Sequence, residues 1–231
     1  MWLKDSSIGR KFVMSISGLA LVFFLIFHGC MNLALVFSEE AYNTICRLLG
    51  ANWYALIATL GLAFLVFVHF SYGIYLTIQN RAARGNDKYA VRGKKEGVDW
   101  ASENMLVLGF VVIGFIVLHL ANFWFKMQFA EIIGVQTGAF DPHNGAAFVK
   151  ALFTTPVTGQ IYCGLYLVWL VGLWFHLNHG VWSAMHTMGL NNLKWEKRTK
   201  VIGCVIATIA VLPFAAVVFY YLGMGIGMLC A

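Results

Sequence analysis

Five long stretches of this chain carry almost no charge, and they restrict its folding more than any other feature. Charged residues make up only 11% of the sequence, whereas hydrophobic residues make up 60%. An apolar stretch of about 20 residues is long enough to cross the hydrocarbon core of a bilayer as a helix. A helix satisfies its own backbone hydrogen bonds in lipid, and no strand-like alternation competes with this interpretation. We therefore expect an all-α integral membrane bundle of five transmembrane helices.

The predicted helices form one domain that takes up residues 1–231. Their membrane-spanning parts are expected at about residues 12–37, 53–78, 103–128, 157–187 and 201–224. Pro213 lies inside the fifth stretch and predicts a kink there. Thr155 and Pro156 are typical of the N-cap and the first position of the fourth helix, and Ala147–Phe153 predicts a short surface helix before it.

The basic residues are distributed unevenly between the two sides of the predicted bundle. The positive-inside rule places the basic side in the cytoplasm, so the amino terminus is predicted to be cytoplasmic and the carboxyl terminus outside. The net charge of +6 is then mainly a topology signal, and nucleic acid is not an expected partner, although an acidic soluble partner could dock on the basic side. The basic side holds 13 of the 16 Lys and Arg residues: Lys4, Arg10, Lys11, Arg81, Arg84, Lys88, Arg92, Lys94, Lys95, Lys194, Lys197, Arg198 and Lys200.

Histidines inside the apolar stretches are the strongest functional signal in the sequence. Ionisable residues in a membrane helix are costly and usually functional. Four of the predicted helices each carry a candidate: His28, His69, His119 and His179. His28 lies 11 residues before Glu39 and His119 lies 7 before Lys126, which places both nearer the outer face. His69 and His179 lie 12 and 15 residues before the basic Arg81 and Lys194, which places both in the inner half.

These depths predict two histidine pairs, each drawn from two helices. At about 1.5 Å of rise per residue the two layers are roughly 10 Å apart. Two axial imidazoles on one iron are typical of a low-spin haem that transfers electrons, so two b-type haems are expected. His176 is an alternative to His179 because it lies three residues earlier on nearly the same face. Gly180 favours His179, since a glycine lets the backbone approach a flat macrocycle, and Gly29 follows His28 in the same way.

Several stretches of the sequence resemble one family of membrane cytochromes. They are Gly9-Arg10-Lys11-Phe12-Val13-Met14, Ser17-Gly18-Leu19, Phe27-His28-Gly29, Asn32-Leu33, His179-Gly180-Val181-Trp182-Ser183 and Met188-Gly189. Together with the order of the histidines, they resemble the cytochrome b558 subunit of succinate:menaquinone oxidoreductases and fumarate reductases. This subunit is the single-chain membrane anchor that carries two haems.

The resemblance implies a role, cofactors and partners. The chain is expected to anchor a flavoprotein (FAD) subunit and an iron–sulfur subunit on the cytoplasmic side of a bacterial inner membrane. Electrons would pass between the clusters and menaquinone through an inner haem on His69 and His179 and an outer haem on His28 and His119. The dicarboxylate chemistry belongs to the flavoprotein, its direction stays open, and the whole complex is a candidate for oligomerisation.

The quinone site is expected near the outer haem, beside a carboxylate that handles quinone protons. Glu39 and Glu40 follow the first helix and are the nearest candidates, and Glu131 is another. Asn32 and Asn122 follow the outer histidines by four and three residues, so they are expected to face haem propionates or the quinone.

One position departs from some members of the family. They carry a glutamate two residues before the fourth-helix ligand, where this chain has Leu177. A transmembrane proton path through that group is therefore not expected here.

Two other functions are weighed against this one. Hydrogenase and formate dehydrogenase cytochromes b are a close alternative. The related bc-type pattern places two ligands on one helix, about 13 or 14 residues apart, whereas the four candidate histidines here lie on four separate helices. A haem-free transporter with a histidine relay would carry carboxylates within its spans. The apolar stretches contain almost none.

Overall fold

The computed structural model describes residues 6–84, 100–135, 141–192 and 194–230, and within these ranges the chain forms helices and no strands. Five of the helical spans are long and apolar enough to cross a membrane, which confirms the predicted fold class. The helices are α1 Ser7–Phe37, α2 Glu39–Leu48, α3 Trp53–Arg84, α4 Trp100–Glu103, α5 Met105–His119, a π-helix Leu120–Phe129, α6 Ala130–Ile132, α7 Gly145–Thr154, α8 Thr158–Thr187 and α9 Glu196–Cys230.

The membrane helices are mostly longer than the apolar stretches that predict them. α1 begins at Ser7 rather than at residue 12, and α3 continues to Arg84 rather than ending at 78. The third span runs as one unit through α5, the π-helix and α6, from Met105 to Ile132. Hydropathy locates only the part of a helix that faces hydrocarbon, whereas hydrogen bonding continues through the polar turns at each end.

Serine side chains set the boundaries at both ends of α1. Ser6 caps its start, where the hydroxyl accepts a hydrogen bond from the Gly9 N–H at 2.9 Å. Ser38 ends it, because its backbone is extended, and the Ser38 hydroxyl then accepts from Ala41 N–H at 3.1 Å to begin α2. A capping side chain of this kind stabilises a helix by about 1 kcal/mol.

The segment before the fourth membrane helix differs from the sequence prediction. Thr155 is the C-cap of α7, and its hydroxyl donates to the Ala151 carbonyl, so it does not cap α8. α8 begins at Thr158, and Val157 precedes it with a φ of 66°. The helix predicted at Ala147–Phe153 is present as α7, but it is not a surface helix, because Phe148, Val149 and Phe153 are buried.

The core of the bundle lies between α1, α8 and α9. α9 packs along both α8 and α1, and α8 also contacts α5. Cys163, Val181 and Tyr221 are almost fully buried at these contacts. α3 is peripheral, since it packs against α1 and to a smaller extent α5. Its other face carries large exposed apolar side chains, as expected where a helix meets lipid: Trp53, Ile57, Leu60, Phe64 and Phe67.

The two ends of the bundle differ in charge and in structure. At the basic end, where α1 and α9 begin, the Arg10 guanidinium donates to the Tyr75 hydroxyl at 2.8 Å and Lys200 lies over the Trp182 ring. The opposite end, the cap end, is closed by α2, α6 and α7. Asn43 joins α2 to α7 there by hydrogen bonds to Asn144 and to the Ala146 N–H. Lys4, Lys88, Arg92, Lys94, Lys95 and the Arg84 side chain lie outside the described residues.

Pro213 lies inside α9, which runs as one helix from Glu196 to Cys230. A side chain added at Gly29 would lie 3.3 Å from atoms of Pro213 and Phe214. Gly29 therefore allows α1 and α9 to approach each other. This contact gives the glycine after His28 a role in helix packing.

Gly159 provides a test of how α7 turns back into α8. A Cβ at this position would lie 2.5 Å from the Phe153 carbonyl oxygen, and a backbone atom cannot move aside by changing rotamer. We expect Gly159→Ala to lower stability by about 1–3 kcal/mol, as overpacking does in tight cores. The measurement is the thermal unfolding midpoint in detergent.

The matched control for this prediction is Gly164→Ala, in the same helix. A Cβ there would meet nothing within 4 Å. Its midpoint should stay the same or rise, because alanine favours a helix over glycine. Equal midpoints for the two variants would contradict the tight α7–α8 turn.

Candidate cofactor site

His28 and His119 face each other in the half of the bundle nearer the cap end. His28 is on α1 and His119 is the last residue of α5. Their ring centres are 5.9 Å apart, and the ring planes are 88° to each other. One ring nitrogen of His119, Nδ1, is buried and has no hydrogen-bond partner among the described residues.

A second pair of rings lies in the half nearer the basic end. The centre of the His69 ring on α3 is 6.3 Å from that of His176 on α8, at an angle of 73°. His176 Nδ1 is also buried without a partner in the described part of the chain. His179, the residue preferred on sequence grounds, lies one turn further along α8 and has its ring edge-on to Trp182 at 5.3 Å. A Cβ on the adjacent Gly180 would meet nothing within 4 Å.

Both separations suit a metal ion held between two imidazoles. A metal–imidazole bond is about 2 Å long, so two rings on opposite sides of one ion have centres about 6 Å apart. The rings may take any angle about that common axis. Within the described ranges no three His, Cys, Asp or Glu residues are close enough to hold a metal ion. A pair alone suits an iron whose remaining ligands come from a macrocycle, and the residues present therefore fit a haem.

Aromatic side chains surround the outer pair. Phe24 stacks on His28 with ring centres 5.3 Å apart, and Phe214 of α9 lies 5.5 Å from the same ring. Phe123 and Trp169 lie 5.2 and 5.9 Å from His119. Phe24 and Phe123 are four residues from their histidines, so helical spacing alone could have indicated them. Phe214 and Trp169 are on other helices, and the sequence carries no local signal for them.

A long π-helix begins directly after His119. It covers Leu120–Phe129, whereas most π-helical segments are single-turn bulges at functional sites. Gln128 holds this segment to the start of α3: its amide donates to the Gly50 carbonyl at 2.9 Å, and its oxygen accepts from Thr59 at 2.9 Å. The segment also lines an apolar groove of about 360 Å³ with Leu120, Ala121, Trp124 and Phe125. Nothing in the sequence predicts this change of helix type.

The two asparagines near the outer pair bond to other protein groups. Asn32 donates from Nδ2 to the His28 carbonyl at 2.8 Å, and its oxygen accepts from the Tyr42 hydroxyl at 3.3 Å. Its Nδ2 is also 3.4 Å from His28 Nε2. Asn122 donates to the Tyr166 hydroxyl at 3.2 Å, and the Tyr166 ring is 6.5 Å from that of His119. Asn32 therefore joins His28 to Tyr42, whereas Asn122 bonds to a tyrosine whose ring lies near His119.

The carboxylates suggested by the sequence lie at the cap end, outside the apolar core. Glu39 and Glu40 form the first turn of α2 and are exposed, and Glu39 pairs with Lys150 at 3.5 Å. Glu131 is 3.3 Å from His143, whose other ring nitrogen is 2.9 Å from Asp141.

His143 is thus bound between two carboxylates rather than fully solvated. The hydrogen bond to Asp141 and the charge of Glu131 raise the pKa of His143. In turn, hydrogen bonds from the main chain and the ring of His143 lower the pKa of the Asp141 carboxyl. Both shifts favour the charged forms, so this contact holds the segment before α7 against α6 by an ion pair.

Gly18 places the first helix directly against the inner pair. A Cβ at this position would lie 3.0 Å from His69 Cε1. We expect Gly18→Ala to displace the His69 ring and to lower the occupancy of whatever group binds there. The measurement is the content of bound metal and cofactor in the purified chain.

Gly61→Ala on α3 is the control for Gly18→Ala, since a Cβ there would meet nothing within 4 Å. It should retain the wild-type content. Full occupancy in Gly18→Ala would show that the ring does not depend on contact with α1.

Comparison with known proteins gives one match. Residues 12–118 match the model of the family described as succinate dehydrogenase/fumarate reductase transmembrane subunit. The matched part contains His28 and His69 and ends one residue before His119. No curated protein and no solved structure matches the chain. With its five apolar spans the chain is a multi-pass membrane protein, and its residues 12–118 are similar to the succinate dehydrogenase/fumarate reductase transmembrane subunits.

Proposed function

We propose that the chain is a di-haem cytochrome b anchor that passes electrons between an iron–sulfur subunit and menaquinone. The observation that carries this proposal is the presence of two separate pairs of half-buried imidazole rings, with centres 5.9 and 6.3 Å apart. Isolated buried histidines would serve helix packing equally well. Two opposed pairs at two depths in one bundle are what two bis-imidazole irons require.

The outer haem is assigned to His28 and His119. The inner haem is assigned to His69 and a histidine of one turn of α8. Sequence reasoning favours His179, with Gly180 leaving space beside it, whereas the 6.3 Å ring contact favours His176. Both residues lie in the α8 half that approaches the basic end, so the inner position of the haem is the same with either ligand.

The chain's own residues determine what such a cofactor can do. When bound, each haem would supply a one-electron carrier, and a histidine pair would hold its iron. Phe24, Phe214 and Trp169 cover the outer rings with apolar surface and so exclude water from them. A dry, aromatic shell of this kind controls solvent access and thereby the redox potential of the site.

The basic end is proposed to face the cytoplasm and to bind the soluble subunits. Positive residues cluster there at the ends of α1, α3, α8 and α9, as is typical of the cytoplasmic face of bacterial inner membrane proteins. The inner histidine pair lies in the same half of the bundle, so an iron–sulfur subunit docked there is next to the first electron acceptor. The described basic residues of this end are Arg10, Lys11, Arg81, Lys194, Lys197, Arg198 and Lys200.

The quinone is proposed to bind near the outer pair, at the cap end. Glu39 and Glu40 are exposed in the first turn of α2 and are available to exchange protons with solvent. Asn32 bonds to His28 and Tyr42, and Asn122 bonds to Tyr166, which provides hydrogen-bonding groups close to the rings. The apolar groove along Leu120–Phe125 offers a surface for an isoprenoid tail beside His119.

A haem-free transporter is the less favoured alternative. Among the five described spans, Asp and Glu occur only as Glu131 and Glu196, each within two residues of the end of its span. A proton relay of a transporter would need such groups at membrane depth.

The identity of the partner subunits distinguishes the proposed anchor from a cytochrome b of a hydrogenase or a formate dehydrogenase. Copurification of a flavoprotein and an iron–sulfur protein supports the present proposal, whereas copurification of a different partner refutes it.

Substitution of single histidines tests the ligand assignment. In the purified chain, His119→Ala is expected to remove one of two haems, seen as loss of about half of the reduced-minus-oxidised absorbance of the α band, because one axial ligand cannot hold the iron in this geometry. His186→Ala at the basic end is the control and should keep both haems. Retention of both haems in His119→Ala would contradict the outer pair.

His176→Ala and His179→Ala separate the two candidates for the inner ligand. Only the variant that lacks the true ligand should lose the inner haem, while the other should retain both. Loss of the inner haem in His176→Ala alone would identify His176 as the ligand, in agreement with its ring contact with His69, and would overturn the preference for His179. Retention of both haems in the two single variants would contradict an inner haem on this turn of α8.

A further inference from the structure

We infer that Ser17 is a positioning residue, which fixes the His69 ring with Nε2 free to bind iron. The inference rests on the proposed function, because it concerns the inner haem. Ser17 Oγ lies 3.2 Å from His69 Nδ1 and joins α1 to α3 at the depth of the inner pair. Ser17 is only 3% exposed, so water does not compete for this contact.

The hydrogen-bond partners of Ser17 determine which nitrogen of His69 carries the proton. A serine hydroxyl has one hydrogen to donate and two lone pairs to accept with. The Ser17 hydroxyl is 3.1 Å from the Met14 carbonyl oxygen, which can only accept, so the single hydrogen is used there. The contact with His69 therefore has the ring as donor, and Nδ1 carries the hydrogen.

The second observation is where Ser17 lies. Ser17 is on α1, and α3 has few other neighbours in the bundle. α1 therefore fixes the tautomer of His69, which is carried by α3.

Gly18 fixes the position of the same ring from the side. The space where its Cβ would be is 3.0 Å from His69 Cε1, so the ring lies directly on the α1 backbone. With the hydrogen on Nδ1, which is bonded to Ser17, Nε2 is left without a proton. A ligand histidine that donates its second N–H in this way is oriented and made more basic.

The hydrogen bond also has a predicted electronic effect. A more basic imidazole stabilises oxidised iron relative to reduced iron, and thus lowers the midpoint potential of the haem that it binds. His119 and His176 differ from His69 in this respect, because their Nδ1 atoms have no such partner in the described ranges. Loss of the Ser17 hydroxyl is therefore expected to raise the potential of one haem and to leave the other unchanged.

The test is a redox titration of both haems in the purified complex that carries Ser17→Ala. We expect a twofold to tenfold shift of the oxidation equilibrium of one haem toward the reduced form, where tenfold corresponds to about 59 mV for one electron. Ser17→Thr retains a hydroxyl and should return the potential toward that of the wild type.

Ser15→Ala is the matched control. Ser15 is also buried on α1, but its hydroxyl donates to the Lys11 carbonyl at 2.9 Å. Unchanged potentials in Ser17→Ala with both haems bound, or an equal shift in Ser15→Ala, would overturn the inference while leaving the proposed function intact. Loss of one haem in Ser17→Ala, with both retained in Ser15→Ala, would support it in a stronger form. A wild-type complex without haem would refute the proposed function itself.

Discussion

The rest of this structure depends on how buried imidazole nitrogens are satisfied inside a lipid-embedded bundle. A buried polar atom without a partner costs about 1–3 kcal/mol, and lipid offers no water to supply one. His119 and His176 each have such a nitrogen, and each ring faces another histidine of a different helix. A haem held between the opposed rings, as proposed, would link the two helices of each pair, so its binding is expected to stabilise the bundle as well as to supply an electron carrier.

The first helix connects both histidine pairs to the core. It carries His28 for the outer pair, and Ser17 and Gly18 contact His69 of the inner pair. Its Gly29 allows α9 to approach, which brings Phe214 against the His28 ring. The peripheral α3 carries His69 without belonging to the core, so the His69 ring is positioned mainly by α1. Binding of the proposed haems would therefore depend on the same contacts as helix packing.

Hydropathy was sufficient to predict the five spans, because charges are almost absent from them. The candidate histidines could also be predicted from the sequence, since an ionisable residue at membrane depth is rare. The side chains that contact each histidine ring could not be predicted in this way. Phe214 and Trp169 reach the outer pair from other helices, and the π-helix after His119 arises without a Gly or Pro signal. The choice between His176 and His179 depends on the rotation of α8, which three residues of spacing do not determine.

Each histidine pair is proposed to hold one haem. The amount of haem per chain in the purified complex, combined with the spectrum of the oxidised iron, tests this assignment. Two b-type haems per chain, both low-spin with two imidazole ligands, are expected. A single haem, none, or a high-spin iron with an open position would contradict the proposed pairs.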